Sequence, residues 1–561
     1  MADSDSEAAR PPGPSRPAPE PGLVFSVAVA ALLRVVVAVR HPIDYNGYWH
    51  VFIARNLARE YGSLAHPPLF LLLLRLADAF GHSRLAYRAI PVLAGIGAVA
   101  LVHRILRRLG AAETAATLGS LAMAVSVSPI LLSAEVQSYS LAVFFILWSF
   151  LYYGDLTAAD PERIPRRSRV AFSTLVCLAL ATEYFAGLYL AAAVLAPFLV
   201  ACLRPAYGRR LLRSLPKRAV ADLLTLAPPA VVSAGLYVWV ARPWIRPLNH
   251  LPEFYFVPGA ETAARFLTRN LWSLFNLFSP FELWSPRRAA ALVLAFVGAT
   301  LLATATEKPR DGRADRVMPS AILAILLAGG MVLGLSGKYP FGGVLRQQFL
   351  FFVFALLSGF LALDRILRGT KSVRLRRSIA AAALLAIAVS FVAHLEDLRP
   401  PGSDAFGIQS RTFHREFPDA SLVQVDQLNL IGFFMAHHDW DWRFAGHDPA
   451  RPAVERYSLA SGDRSLTLVA HRDRWNFDFD DPATLAALNS ALAKGDPDCF
   501  AVFCVHTNLY KPPERRLPDL DPARVTADLS AAARANGETV RKLVFRGNDV
   551  YVEVCRDASA R

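Results

Sequence analysis

Cysteine is scarce, with five in 561 residues, and this excludes a fold built on a disulfide framework. Cys177 and Cys202 fall inside apolar runs. Cys499, Cys504 and Cys555 lie in a polar C-terminal region, which leaves room for one disulfide. No Gly-rich phosphate loop and no internal repeat occur, so neither nucleotide chemistry nor a solenoid is indicated. No tight His/Cys/Asp spacing demands a metal. The first apolar run has no basic segment before it and no clear small-residue cleavage site after it. It reads as a retained membrane span and not a removed signal. The segment ahead of it, "MADSDSEAARPPGPSRPAPE", is rich in Pro, Ala, Ser and acid and is expected to be disordered.

What the chain has in quantity is apolar length. Hydrophobic residues make up 54%, in long runs of Leu, Ala, Val and Phe broken by short Arg-rich segments. A polytopic membrane protein follows. Candidate spans cover residues 22–40, 87–108, 113–132, 138–154, 170–183, 185–203, 220–241, 289–304, 317–335, 347–364 and 378–394. The net charge of +14 sits in the turns between these runs. Such short, evenly spread basic loops set topology and are not nucleic-acid sites. A further run, 67–80, is "PPLFLLLLRLADAF"; it is short and carries Arg75 and Asp78. If it lies on the surface as a juxtamembrane helix, every Arg-rich loop from Arg104 to Arg377 falls on the N-terminal, cytoplasmic side. If it crosses, the pattern inverts and fails.

The expected fold is therefore about eleven transmembrane helices, outer juxtamembrane helices and a small C-terminal extracytoplasmic α/β domain. Residues 1–20 form a cytoplasmic tail, 21–394 the membrane module and 395–561 the outer domain, in a plasma (inner) membrane. A tight break near Glu183–Gly187 separates two spans that would otherwise make one helix too long for a bilayer. Loop 242–288, aromatic and half apolar, predicts interfacial helices. Beyond 395, "ASLVQVD", "SLTLVAH", "CFAVFCVH" and "KLVFRGNDVYVEVC" read as strands. "DPATLAALNSALAKG" and "DPARVTADLSAAARANG" read as helices with Asp caps and Gly stops.

Polar residues collect at one set of span ends. "HPIDYNGYWH" brings Asp44, Tyr45 and Trp49; "AHPPLF" brings His66. "SAEVQSYSL" brings Glu135, Gln137 and Tyr139; "TEYF" brings Glu183 and Tyr184; "GKYPFGGVLRQQ" brings Lys338 and Arg346. Charges at span ends are costly unless paired or used, so the set is a functional-site candidate. Each member also has a plainer reading. Asp44 and Glu135 suit helix N-termini, Glu183 a helix break, Lys338 and Arg346 interface anchors, and the aromatics an interfacial belt.

In wording and order these five segments resemble the family 39 group of GT-C membrane glycosyltransferases. That group includes protein mannosyltransferases, aminoarabinose transferases acting on lipid A and lipid A galacturonosyltransferases. The resemblance covers about residues 22–370. The usual acidic pair is "DYN" here, and the usual Arg of the second motif is Gln137. The resemblance implies an inverting transfer of a sugar from a polyprenyl-phosphate donor to an acceptor hydroxyl on the outer face. Asp44 would be the base, with Glu135 orienting the acceptor or holding a metal. Lys338, Arg346 and His66 would meet the donor phosphate. Tyr45, Trp49, Gln137, Tyr139, Glu183 and Tyr184 would contact substrate. No cofactor is firmly implied, and a divalent metal is allowed without being indicated. The partners implied are the lipid-linked sugar, membrane lipid and a glycan, lipid or protein acceptor. The competing readings are a non-catalytic lipid-sugar-binding scaffold and, less well supported, a lipid-linked substrate transporter. A transporter would place its polar residues at mid-span and show related halves.

Overall fold

The computed structural model describes residues 20–60, 66–157, 164–242, 256–306 except 260 and 277–285, 316–400 except 340 and 342–344, and 405–474 except 449–450. Beyond 474 it describes 477, 488, 496–497, 499–504, 522–535, 538–546 and 549–556. In chain order the helices are α1 (Pro21–Arg40), α2 (Tyr45–Arg55), α3 (Leu57–Glu60), α4 (Pro68–Asp78), α5 (Arg84–Arg108), α6 (Glu113–Val125) and α7 (Val127–Ala134). Then come α8 (Tyr139–Leu156), α9 (Arg166–Leu180), α10 (Phe185–Leu203), α11 (Pro205–Leu236), α12 (Ala263–Asn276), α13 (Pro286–Ala305) and α14 (Met318–Leu335). The last membrane helices are α15 (Leu345–Gly369) and α16 (Val373–Ala393); α17 (Ala405–Glu416), α18 (Gln427–Ala436) and α19 (Pro522–Ala535) follow.

All eleven segments expected to span are helical. Among the described residues, eight helices are long and apolar enough to cross a membrane, and the pair α6–α7, bent by 53°, makes a ninth if it is one span. Helix α9, at 15 residues, and the apolar part of α13, Ala290–Ala305, are shorter. Helix α4 has 11 residues, about half a crossing. The break between α9 and α10 falls at Thr182–Tyr184, where the Glu183 amide still donates to the Ala179 carbonyl at 2.8 Å. Residues 277–285 of the aromatic loop and the helix expected over 481–495, apart from 488, lie outside the described residues.

The chain forms two compact units. The first comprises residues 1–40, 62–70 and 88–399; the second comprises 41–61, 71–87 and 400–561. The first is a helix bundle with an apolar core supplied by α5, α6, α8–α10, α14 and α15. Arg34 is buried in the middle of α1. It donates to the carbonyls of Met123 at 3.2 Å and Ala124 at 3.1 Å, and through Nε to Ser133 at 3.3 Å. Those carbonyls belong to the last turn of α6, whose acceptors have no partner within the helix, and a cation is favoured there.

The second unit carries a seven-stranded sheet in the order β2-β3-β4-β1-β5-β7-β6. Its strands are β1 (Leu422–Asp426), β2 (Asp441–Asp448), β3 (Arg451–Ser461), β4 (Arg464–His471), β5 (Cys499–Cys504), β6 (Glu538–Arg546) and β7 (Asp549–Arg556). The buried central strand β1 runs parallel to β4 and β5. Cys499 and Cys555 stand opposite each other on β5 and β7 and form a disulfide; Cys504 is buried outside it, its thiol donating to Asp426 Oδ2 at 3.9 Å. Hairpin β2–β3 had no strand signal, because charged and polar residues interrupt it and β2 is largely exposed. Helix α2 belongs to this unit, with eight of its eleven residues buried. Phe52 packs edge-on to Phe434 of α18 at 5.2 Å, and the Tyr45 hydroxyl donates to the Leu428 carbonyl at 3.3 Å.

Candidate active site

The sequence-predicted residues divide between the two units, and each group is assembled by its own packing. In the helix bundle, three helix breaks and one helix start are brought together. Helix α7 ends at Ala134, and residues 135–138 run without helix before α8 begins at Tyr139. This places Glu135, Gln137 and Tyr139 within one turn. Gln137 is fully buried and accepts at Oε1 from the Arg346 guanidinium at 3.2 Å. Arg346 sits in the first turn of α15 and also hydrogen-bonds the Tyr139 hydroxyl. That hydroxyl lies in the fields of Glu183 and Glu135 as well. The Tyr139 ring stacks on Phe185 at 6.2 Å. An arginine at 137 would set two guanidinium groups against each other, whereas glutamine presents Arg346 with an acceptor.

Glu183, at the α9–α10 break, is buried and accepts from the Ser138 hydroxyl at 2.6 Å. The Tyr184 amide also donates to it, at 3.2 Å. Burial pushes its carboxyl up to about 7, against the pull of these two donors and of Arg346. The Leu69 amide donates to the Ala181 carbonyl at 2.8 Å and ties the start of α4 to the same break. Pro68 opens that helix and Pro67 is buried before it, which fixes the direction in which the chain leaves His66.

Lys338 is exposed at the end of α14. Gly337 there takes φ +66, its amide donates to Gly334, and the Lys338 amide donates to Leu333 at 2.9 Å. This is the Schellman pattern, and it needs a residue without Cβ at 337.

In the second unit, Asp44 caps α2. Its Oδ1 accepts from the Gly47 amide at 2.8 Å. Tyr45 is buried and stands edge-on to Trp49 at 5.9 Å. Arg55, at the other end of α2, donates to Asp78 at 3.0 Å, to the Tyr87 hydroxyl at 2.7 Å and to the His438 carbonyl at 2.7 Å. The Asp78 carboxyl is held below its ordinary value by the Tyr87 hydroxyl and Arg55, which outweigh its burial. Arg55 and Arg34 were not singled out from the sequence, and Asp78 was read only as a charge against 67–80 crossing the membrane. Arg34 did carry a signal, a lone cation in "ALLRVVVAV", which becomes meaningful once its helix is seen to be a core element.

One group among the described residues has metal-ligand character: Glu20, His103 and Glu113, where α1 begins, α5 ends and α6 begins. Arg107 already bridges both carboxylates there, at 3.1 and 3.3 Å.

No protein-family model matches the sequence, and no curated protein matches it. Solved structures do. The chain is similar to ArnT from Cupriavidus metallidurans bound to undecaprenyl phosphate, with 16% identity, 96% of this chain and 98% of that one covered, and a TM-score of 0.41. It is similar to the Archaeoglobus fulgidus oligosaccharyltransferase at 14% identity, covering 74% of this chain and 63% of that one, with a TM-score of 0.43. Its similarity to the mycobacterial arabinofuranosyltransferase AftD is 15% over 96% of this chain, with a TM-score of 0.46; the chain spans 40% of that protein. All three are membrane glycosyltransferases of the GT-C type. The identities and scores are low, and the function proposed for the chain rests on its own residues.

Proposed function

We propose that the chain is an inverting membrane glycosyltransferase that moves a sugar from a polyprenyl-phosphate donor to an acceptor hydroxyl on the outer face of the membrane. The observation that carries this reading is the Arg346–Gln137 hydrogen bond, with Tyr139 and Glu183 beside it. Residues from motifs more than 200 positions apart meet at helix ends, where a lipid phosphate would lie. The order of the five sequence motifs supports the same reading.

In this mechanism the acceptor oxygen attacks the anomeric carbon as the bond from that carbon to the phosphate oxygen breaks. The acceptor proton passes to the Asp44 carboxylate. The leaving group is an ionised lipid phosphate that needs no proton, only compensation of its charge. Arg346 supplies that compensation, with Lys338 and His66 as further phosphate contacts. Glu183, Glu135, Tyr184, Tyr45 and Trp49 complete the substrate-binding set. The Cys499–Cys555 disulfide supports an oxidising, extracytoplasmic location for the sheet domain.

Asp44→Asn tests the base directly, because asparagine caps a helix as well as aspartate does. The variant is expected to keep the wild-type thermal midpoint and to lose transfer by at least about a hundredfold. The assay is release of polyprenyl phosphate from a panel of polyprenyl-phosphate sugars by protein in nanodiscs. Full activity in Asp44→Asn would reduce Asp44 to a helix cap. Arg346→Gln is expected to weaken donor binding by about tenfold or more, the scale of a lost charged hydrogen bond.

A further inference from the structure

A large cavity in the helix bundle is lined by none of the Arg346–Gln137–Glu183 group. It has a volume of about 1030 Å³ and is walled by α6, α12–α15 and α16. None of the candidate catalytic residues lines it. Along α15 the wall runs from Phe351 to Leu363, about 18 Å at 1.5 Å per residue. That is close to the depth of one leaflet of a bilayer core of about 30 Å. The wall of α15 follows a helical stripe, Phe352, Leu356, Gly359 and Leu363, that lies well around the helix from Arg346.

The cavity exists because α16 is a span that packs loosely. None of its residues is buried. It is pinned near its end, where Phe391 and Leu398 pack on Val37, Val92, Ile130 and Ala134. Below that anchor, Ala382, Ala383 and Ala386 face the cavity and leave it open. The groove opens to the surroundings past the exposed Leu292, Phe296, Leu385 and Val389, and its apolar walls are a poor host for water.

The lining is not wholly apolar. Ser390, His394 and Asp397 lie where α16 ends, and Ser126, Ser128 and Ser273 also line the groove. The only titratable groups in the described lining are His394 and Asp397, which pair at 3.1 Å. No Lys or Arg is among the described lining residues, so an anionic phosphate head would find no permanent cation there. Serine hydroxyls and a half-paired carboxylate instead match a head rich in hydroxyls. A transmembrane helix would match the apolar walls but not these polar groups.

We propose that this groove binds a membrane lipid with an uncharged, hydroxyl-bearing sugar headgroup, its chain lying along α15 and α16. The proposal stands on the chemistry of the groove and does not depend on the transferase reading. Under that reading, such a lipid carries the free hydroxyls an acceptor needs.

The test is native mass spectrometry of the full chain released from phosphatidylcholine nanodiscs doped equally with glucosyl diacylglycerol, phosphatidylglycerol and undecaprenyl phosphate. Sugar detergents are avoided in preparation, since they carry the proposed headgroup. One glucosyl diacylglycerol is expected to be retained about tenfold over phosphatidylglycerol. Ala386→Trp fills the groove from an exposed helix position and should abolish that retention. Asp397→Lys, at a solvent-exposed site, should reverse the preference towards phosphatidylglycerol. Equal retention of all three lipids overturns the proposal. So does undiminished retention of the glucolipid by a folded Ala386→Trp, or a preference for either phosphate lipid in the wild type.

Discussion

At the scale of single residues, burial of ionisable groups is the most informative feature. Glu183 is a carboxyl whose folded value, about 7, lies above its ordinary 4.5. Desolvation favours its neutral form, so its contribution to stability is fully present below about pH 4.5. Between about 4.5 and 7 the unfolded chain releases this proton and the folded one keeps it, so stability falls as pH rises. Glu183→Gln should flatten that fall, and thermal denaturation midpoints of both proteins across pH 4–8 would show it. Arg34 makes the opposite case, a cation held in an apolar span because helix-end carbonyls receive it. Arg34→Met keeps the apolar stem but leaves the acceptors of Met123 and Ala124 without this donor. A loss of about 1–3 kcal/mol is expected, read as a lower thermal midpoint in detergent.

At the scale of elements, the site depends on where helices stop. The α7–α8 and α9–α10 junctions free polar groups from the helical pattern, so that Gln137, Ser138 and Glu183, all buried, hydrogen-bond across helices. Close approach of α5 and α7 secures one of these. A Cβ at Gly95 would come within 2.1 Å of the Ser133 hydroxyl and 2.9 Å of the Arg34 Nε. Gly95→Ala must therefore displace the Arg34–Ser133 contact, with a cost of about 1–3 kcal/mol. A thermal midpoint equal to that of the wild type would show that these helices separate freely. Helix α2 illustrates the limit of a local reading. Its sequence suits an amphipathic surface helix, yet eight of its eleven residues are buried, because Phe434, Trp442 and Tyr457 supply an aromatic bed for Phe52.

At the scale of the molecule, the two units rest on different physics. The bundle buries apolar side chains helix against helix, while the sheet unit adds a covalent tie between β5 and β7. The tie closes a loop of 56 residues. Cys499→Ala with Cys555→Ala should cost the sheet unit about 4 kcal/mol by loss of loop-closure constraint. Limited proteolysis would report it as faster cleavage beyond residue 400, with the bundle unchanged. Equal cleavage rates would mean that the sheet's own packing already holds these strands.

Hydrophobic runs, Pro and Gly stops and period-two strands are local signals, and they made the eleven helical segments, the α9–α10 break and strands β1 and β4–β7 legible from the residues alone. The list of unusual polar residues was legible too, since a charge at a span end is conspicuous in an apolar context. What no window of sequence contains is partnership. Gln137 meets Arg346, Ser138 meets Glu183 and Arg34 meets the end of α6 because helices distant in the chain pack side by side. The void beside α16 has the same origin, since a cavity is a property of the surfaces around it and not of any one of them. Local patterning determined which segments became helices and strands, and tertiary packing decided which polar groups were paired and where space was left.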